Sequence, residues 1–430
     1  MSASRRVPGV RRLAAAAAAA VALLAAAPAL AFHSGGAARC EGCHTMHGSA
    51  AKTSGSGLVQ GADASSTCLI CHAGVSSAPH SVLSLSVQPG AAPLNMTPGG
   101  DFAWLTKSWS WAGTAGLETS PGDAHGHNVV AADYGRFADP RHPTAPGGSY
   151  PSNQLSCVSC HDPHGKYRVR EGGVVATGGA PVVASGSYGD RSAYVTPSQT
   201  TAIGTYRMLA GVGYQPRTLA GVNAFSADPP VALAPSAYNQ GERIADVRVA
   251  YGSGMSEWCG NCHGAIHTPA NPTRPGEFMH PSGSTAKLGM LSNVYNAYVK
   301  TGDLGGSYVL AYTSLVPYEE GTADRATLAA STSSDGMVRT GPVRGQENVM
   351  CLSCHRAHAS GWDASLRWNV KSEYVVASGQ WPGIDAIGEA GRAPVAQGRT
   401  RAETRGAMYD REPTAFASFQ TSLCNKCHAK

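Results

Sequence analysis

Cysteine and histidine are the residues through which this chain can do chemistry, and the 12 cysteines fall into one spacing. Cys40, Cys43 and His44 form a Cys-x-x-Cys-His motif. It recurs as Cys68/Cys71/His72, Cys157/Cys160/His161, Cys259/Cys262/His263, Cys351/Cys354/His355 and Cys424/Cys427/His428, which uses every cysteine. With this composition chance would place the pattern about 0.01 times per chain, so six copies are not accidental. Residues i, i+3 and i+4 share one face of a helical turn, so both thiols can form thioethers to a porphyrin while the imidazole binds its iron. This is the c-type haem attachment signature. It predicts six covalently bound haem c groups, with His44, His72, His161, His263, His355 and His428 as proximal iron ligands. A zinc ribbon needs paired Cys-x-x-Cys units and no histidine after each one, and a disulfide framework has no use for the histidine at all.

The second axial position of each iron decides between conduction and catalysis. Of the 16 histidines, six belong to motifs and ten remain: His33, His47, His80, His125, His127, His142, His164, His267, His280 and His358. Six are needed for every iron to carry two imidazoles. Such an iron has no open place for substrate, and paired imidazoles suit reversible electron transfer at low potential. His47, His164, His267 and His358 follow their motifs by three or four residues. An imidazole so placed cannot readily turn back to the far face of its own haem, but it can reach a haem stacked alongside.

The elements that must position these residues are short. Charged residues make up only 14% of the chain, whereas Gly (52) and Pro (27) are abundant, a balance that disfavours long helices and strands. Mature chain per motif comes to about 66 residues, and a covalent haem replaces much of the apolar core such a segment must otherwise assemble. The expected fold is mostly irregular coil with short helices and few small strands, wrapped around a linear chain of six covalently bound haems. Helical turns are expected at the motifs and short strands around Phe102, Trp104, Trp109 and Trp111. A small β element is expected near Val174-Val175 and Val182-Val183, a short helix over Ser292 to Lys300, and polar, Gly-rich coil over 301–348. Motif separations of 28, 89, 102, 92 and 73 residues exclude a fixed-period solenoid.

Arg5, Arg6, Arg11 and Arg12 precede an apolar run from Leu13 to Ala27, and Ala29-Leu30-Ala31 is a small-x-small cleavage site. Residues 1–31 therefore read as a signal peptide and 32–430 as a single hexahaem cytochrome c domain, exported through the periplasm to the cell surface or beyond. No later segment is long and apolar enough to span a bilayer, so the mature chain is expected to have no transmembrane segment. Removing the leader lowers Lys+Arg from 33 to 29 against 28 Asp+Glu. Near-neutral charge without basic runs excludes nucleic acid as a partner. No nucleophile–base arrangement or phosphate-cradling loop stands out.

Several stretches carry a resemblance to a known family. They are Ala31 to Gly36, Cys40 to His47, Met96-Thr97-Pro98-Gly99-Gly100-Asp101-Phe102, Cys157 to Tyr167, Gly254 to Cys259, Cys351 to Gly361 and Leu423 to Lys430. Together they resemble the OmcS-type hexahaem cytochromes over essentially the whole mature chain, loosest near 171–205, 322–346 and 374–415. The resemblance implies a protein that polymerises head to tail into an extracellular filament with a continuous haem chain, delivering electrons to external acceptors or other cytochromes. It also implies that His47 ligates a haem of the adjacent subunit, and that His33, His80, His127, His164, His267, His280 and His358 stand where the family has histidines. His125 and His142 do not. The competing readings are a monomeric periplasmic or surface electron carrier and a multihaem reductase. The second needs one iron with an exchangeable position, and every motif here ends in His.

Overall fold

The computed structural model describes residues 40–45, 59–74, 81–113, 116–176, 196–215, 224–233, 248–267, 280–298, 316–332, 341–383 and 397–428. The leader, His33, His47, His80 and Val182-Val183 lie outside these residues. Coil dominates, as the composition leads one to expect. The longest helix described is α2 (Ala64–His72), and the other helices are α1 (Cys40–Cys43), α3 (Met255–Cys259), α4 (Leu291–Ala297), α5 (Arg325–Ser331), α6 (Cys351–Cys354) and α7 (Arg401–Ala407). Their starts are set by local chemistry. Asp63 caps α2 by accepting from Ser66 N–H at 2.7 Å, Asp324 caps α5, and Thr400 and Glu403 form a capping box on α7. Helix α4 overlaps the stretch expected to be helical, starting one residue earlier and ending three earlier, whereas α5 interrupts a stretch read as coil; the cue for it was Asp324 three residues ahead of Thr327.

Strands are short and pair antiparallel in four small sheets: β1 (Trp109–Gly113) with β2 (Gly116–Ser120); β3 (Arg168–Arg170) between β4 (Gly173–Val175) and β5 (Ile203–Gly204); β6 (Ala232–Leu233) with β7 (Ala250–Tyr251); and β8 (Tyr374–Ala377) with β9 (Phe419–Thr421). In β1 the register Trp109↔Ser120 and Trp111↔Glu118 buries both tryptophans on one face, while Phe102 and Trp104 lie instead on the 3-10 turn Phe102–Thr106. Apolar side chains gather in six separate clusters among the described residues, not in one core. The largest, around Tyr295, Trp368, Val376 and Trp381, packs on Cys354 and Cys427; another, around Tyr206, Tyr251 and Met350, packs on Cys259. Motifs four, five and six thus rest on local apolar seats. No helix among the described residues is long and apolar enough to cross a membrane.

Candidate functional site

Every motif folds as a single tight turn. The histidine N–H returns to the carbonyl of the first cysteine at 2.7 Å in His44, 3.0 Å in His161, 3.0 Å in His263, 2.9 Å in His355 and 3.0 Å in His428, while His72 closes α2. This brings both thiols and the imidazole of each motif to one side of its turn. No two of the sulfurs are bonded to each other. Burial pushes Cys262 and Cys427 up to about 11 and Cys354 up to about 12, so at neutral pH these are thiols and not thiolate nucleophiles.

The imidazoles are oriented by the backbone. Nδ1 of His161 meets the Arg207 carbonyl at 2.7 Å, His263 that of Pro146 at 2.8 Å, and His355 that of Ala364 at 2.7 Å. Among the other histidines, His127 Nδ1 meets the Ala357 carbonyl at 2.7 Å and His280 that of Pro281 at 2.9 Å. A carbonyl only accepts, so Nδ1 carries the proton and Nε2 presents its lone pair, the tautomer a metal ligand needs. Burial also lowers the pKa of His127, His161 and His263 and takes His358 down to about 3, keeping these rings neutral.

Four motif histidines face a second imidazole at one spacing. His44 and His164 have ring centroids 6.2 Å apart, His161 and His358 6.4 Å, His263 and His127 6.0 Å, and His428 and His280 6.0 Å. A metal–imidazole bond of about 2 Å, with the ring centroid about 1 Å beyond the nitrogen, places two imidazoles on opposite sides of one ion about 6 Å apart. The donor set therefore fits an iron held between two histidines, with the motif thiols alongside for the macrocycle. The interplanar angles run from 9° to 85°, so the spacing is common to pairs of very different mutual orientation. Among the described residues, no group of three or more His, Cys, Asp or Glu converges as a zinc or calcium site would require.

Partners are not drawn from the neighbouring motif. His164, trailing motif three, faces His44 of motif one, and His358, trailing motif five, faces His161 of motif three. Consecutive motifs nevertheless lie near one another in space. Cys43 interacts with Cys71, Cys68 with Cys157, Cys160 with Cys262, Cys259 with Cys351, and Cys354 with Cys424, a line through all six motifs in sequence order.

Two Pro-Gly-Gly loops support the paired imidazoles, one behind a distal histidine and one behind a motif histidine. His358 N–H donates to the Gly99 carbonyl at 2.7 Å, its ring stacks on Phe102, and a Cβ on Gly100 would lie 1.8 Å from the Ala359 carbonyl oxygen. Pro146-Gly147-Gly148 presents the carbonyl that holds His263, and a Cβ on Gly148 would lie 1.8 Å from the Cys262 carbonyl oxygen. Only glycine permits so close an approach of backbone to backbone. Two further turns present carbonyls from paired left-handed residues, Arg207 (φ 52) with Met208 (φ 57) and Ala364 (φ 54) with Ser365 (φ 56). Non-glycine residues in that region store strain, which here keeps a carbonyl trained on a motif histidine. The repeated Pro-Gly-Gly was visible in the sequence as a signal for these loops; the paired left-handed turns had none.

The remaining histidines are placed differently. His125 is fully buried, with Nδ1 on the Trp104 carbonyl at 3.1 Å and Nε2 on Ser120 Oγ at 2.8 Å, which leaves no nitrogen for a metal. His142 pairs with Asp139 at 3.0 Å. His267 closes the 3-10 turn Gly264–His267 behind motif four. His355 is exposed and, among the described residues, stands opposite no other imidazole.

No family model matches the chain. It is 48% identical over 418 residues to C-type cytochrome OmcS of Geobacter sulfurreducens (strain ATCC 51573 / DSM 12127 / PCA), covering 94% of this chain and 95% of that one. Its structure is similar to a cryo-EM structure of the OmcS nanowires from Geobacter sulfurreducens, with TM-score 0.80 and 45% identity over 93% of this chain and all of that one. An outer membrane cytochrome S filament from the same organism matches with TM-score 0.80 and 46% identity over 93% of this chain. With six attachment turns, histidines paired at iron-spanning distance and near-complete overlap with these proteins, the chain belongs to the OmcS family of c-type cytochromes.

Proposed function

We propose that this chain is a hexahaem electron-transfer protein that polymerises head to tail outside the cell and delivers electrons to external acceptors or other cytochromes. The observation that carries this reading is the 6.0–6.4 Å spacing of the four histidine pairs, each joining a motif imidazole to a non-motif one. Haem c, when bound, supplies reversible one-electron transfer. The chain's own residues do the rest. Cysteines anchor each group, carbonyls set the imidazole tautomer, and two histidines per iron leave no coordination place for substrate. That makes the role electron delivery and not catalysis. The six motifs, lying near one another in sequence order, give the groups a continuous line through the subunit.

His164, His358, His127 and His280 are the distal ligands opposite His44, His161, His263 and His428. For His72 the partner comes from His33, His80 or His267. The exposed His355 takes its partner from a neighbouring subunit, and the internal pattern supports His47 for that role. The trailing histidine of motif three serves motif one and that of motif five serves motif three. Continued one step across a subunit boundary, His47, trailing motif one, serves motif five of the adjoining subunit. The relatives are a nanowire and a filament, an assembly this rule extends to this chain. A repeated interface that does not close on itself generates such a filament.

The test is the purified, haem-loaded protein. Six haems per chain, all low-spin, are expected in filaments, and His47→Ala is expected to give subunits that retain six haems but show one high-spin centre and no long filaments. Long filaments of His47→Ala with six low-spin haems would overturn the ligand exchange, and a wild-type count below six would overturn the hexahaem reading.

A further inference from the structure

Two kinds of hydrogen-bonded tie join consecutive motifs. Motif three is held to motif two, and motif five to motif four, by a hydroxyl three residues ahead of the earlier motif. Ser65 Oγ accepts from Cys157 N–H at 3.1 Å, and Ser256 Oγ accepts from Cys351 N–H at 3.0 Å. The sites of motifs three and four are tied instead through the histidines that face them. Residues 125–127 run antiparallel to residues 358–360, with Gly126 opposite Ala359. Ser360 N–H donates to the His125 carbonyl at 2.9 Å and His127 N–H to the His358 carbonyl at 2.9 Å. A third bond runs from His127 Nδ1 to the Ala357 carbonyl at 2.7 Å.

This register sets His127 directly across from His358. The first ring faces His263 of motif four and the second faces His161 of motif three. Two consecutive sites therefore take their second imidazole from a single backbone junction. The stretch 355–360 serves three motifs at once: His355 belongs to motif five, the Ala357 carbonyl orients the partner of motif four, and His358 is the partner of motif three.

Gly126 stands at the middle of the junction, and it is space and not backbone conformation that calls for glycine there. Its φ of 167 and ψ of −158 are extended backbone open to any residue. Directly opposed residues of an ordinary antiparallel pair hold their Cβ atoms about 4.5–5.5 Å apart. A Cβ on Gly126 would lie 2.7 Å from that of Ala359 and 2.2 Å from the His358 carbonyl oxygen. That oxygen is the acceptor of the His127 N–H, so a methyl group at 126 would force apart the bond that pairs the two histidines. Ala359 has nowhere to retreat. It is fully buried, and Gly100 closes on its carbonyl from the other side.

We propose that Gly126 is a positioning residue for two irons, holding His127 and His358 on one junction so that the second ligands of motifs three and four are kept or lost together. This rests on the assignment of both rings as distal ligands. It goes beyond that assignment, which two independently supported histidines would satisfy equally well.

In the haem-loaded protein Gly126→Ala is expected to show two more high-spin ferric centres per chain than the wild type and to bind two more equivalents of cyanide. His127→Ala and His358→Ala each remove one ring and leave the backbone in place, so each is expected to add one. A glycine with a merely structural role would lower the denaturation midpoint and leave every iron low-spin. If each deletion adds one centre but Gly126→Ala adds fewer than two, the shared junction is overturned. If both deletions leave the spectrum wholly low-spin, the ligand assignment itself fails, a separate result. Hydrogen exchange on the loaded wild type gives a measurement that stands even if Gly126→Ala does not fold. The amides of His127 and Ser360, at the two ends of the junction, are expected to show protection factors equal within about fivefold, as one cooperative unit requires. A larger difference would mean that the two ends open separately and would overturn the proposal.

Discussion

Motifs three and five are built on one plan. Both read Cys-x-Ser-Cys-His, and in both the serine hydroxyl folds back to accept a backbone N–H, Ser159 from Ser156 at 2.9 Å and Ser353 from Met350 at 3.1 Å. In both, a carbonyl from a paired left-handed turn meets the motif histidine at 2.7 Å. That turn arrives 46 residues later at His161 but only nine residues later at His355, so the same seat is assembled from distant chain in one case and from adjacent chain in the other. The difference lies on the far side. His161 faces His358, whereas His355 is exposed and faces no imidazole among the described residues. The two motifs thus share a seat reached by different routes, and what completes each site comes from elsewhere: motif five for motif three, and the proposed neighbouring subunit for motif five.

The comparison can be broken most severely with His358→Ala, which leaves His161 as open as His355. One additional high-spin centre per chain is expected in spectra of the loaded protein, together with a marked loss of stability, because the ring also stacks on Phe102 at 4.7 Å. If the spectrum stays wholly low-spin, the pairing of His358 with His161 is not an iron site. A milder change is Gly100→Ala, which leaves every histidine in place. Its Cβ would lie 1.8 Å from the Ala359 carbonyl oxygen at φ +95, so the seat of His358 must shift at a cost of about 2–4 kcal/mol, read from the denaturation midpoint. An unchanged midpoint would mean that the loop does not hold the seat. The smallest effect sharpens the likeness itself. Ser353→Ala should cost ~1 kcal/mol as a lost cap, and Ser159→Ala more, because Ser159 also receives the Tyr150 hydroxyl. Equal costs would show that the two turns are alike in energy as well as in form.

What the sequence made legible was chemistry carried by fixed short spacing. The six motifs and the coil-dominated fold followed from Cys-x-x-Cys-His, its repetition and the Gly and Pro content, and the family from the resemblance carried by stretches such as Met96 to Phe102 and Gly254 to Cys259. Distal geometry was less legible because it depends on long-range contact. His164 sits three residues from His161 yet faces His44, and no local pattern specifies which neighbour a trailing imidazole reaches. The acceptors of the Nδ1 protons were invisible for a related reason. They are backbone carbonyls, and at Arg207 and Ala364 the side-chain identities carry no trace of the role, while at Pro146 only the Pro-Gly-Gly loop was readable. Ser65 and Ser256 lay within reach, since a hydroxyl three residues before a motif is readable, but its significance shows only when the N–H it accepts belongs to a motif about ninety residues away.

The choice of acceptor for those imidazoles has an energetic consequence. A carboxylate on Nδ1 would draw its proton, give the ring imidazolate character and pull down the potential of whatever metal the other nitrogen holds. Here His127, His161, His263, His280 and His355 all donate to neutral carbonyls, at 2.7–2.9 Å. The shared neutral acceptor spares these five rings that imidazolate character. They also hold no proton that must leave when charge arrives.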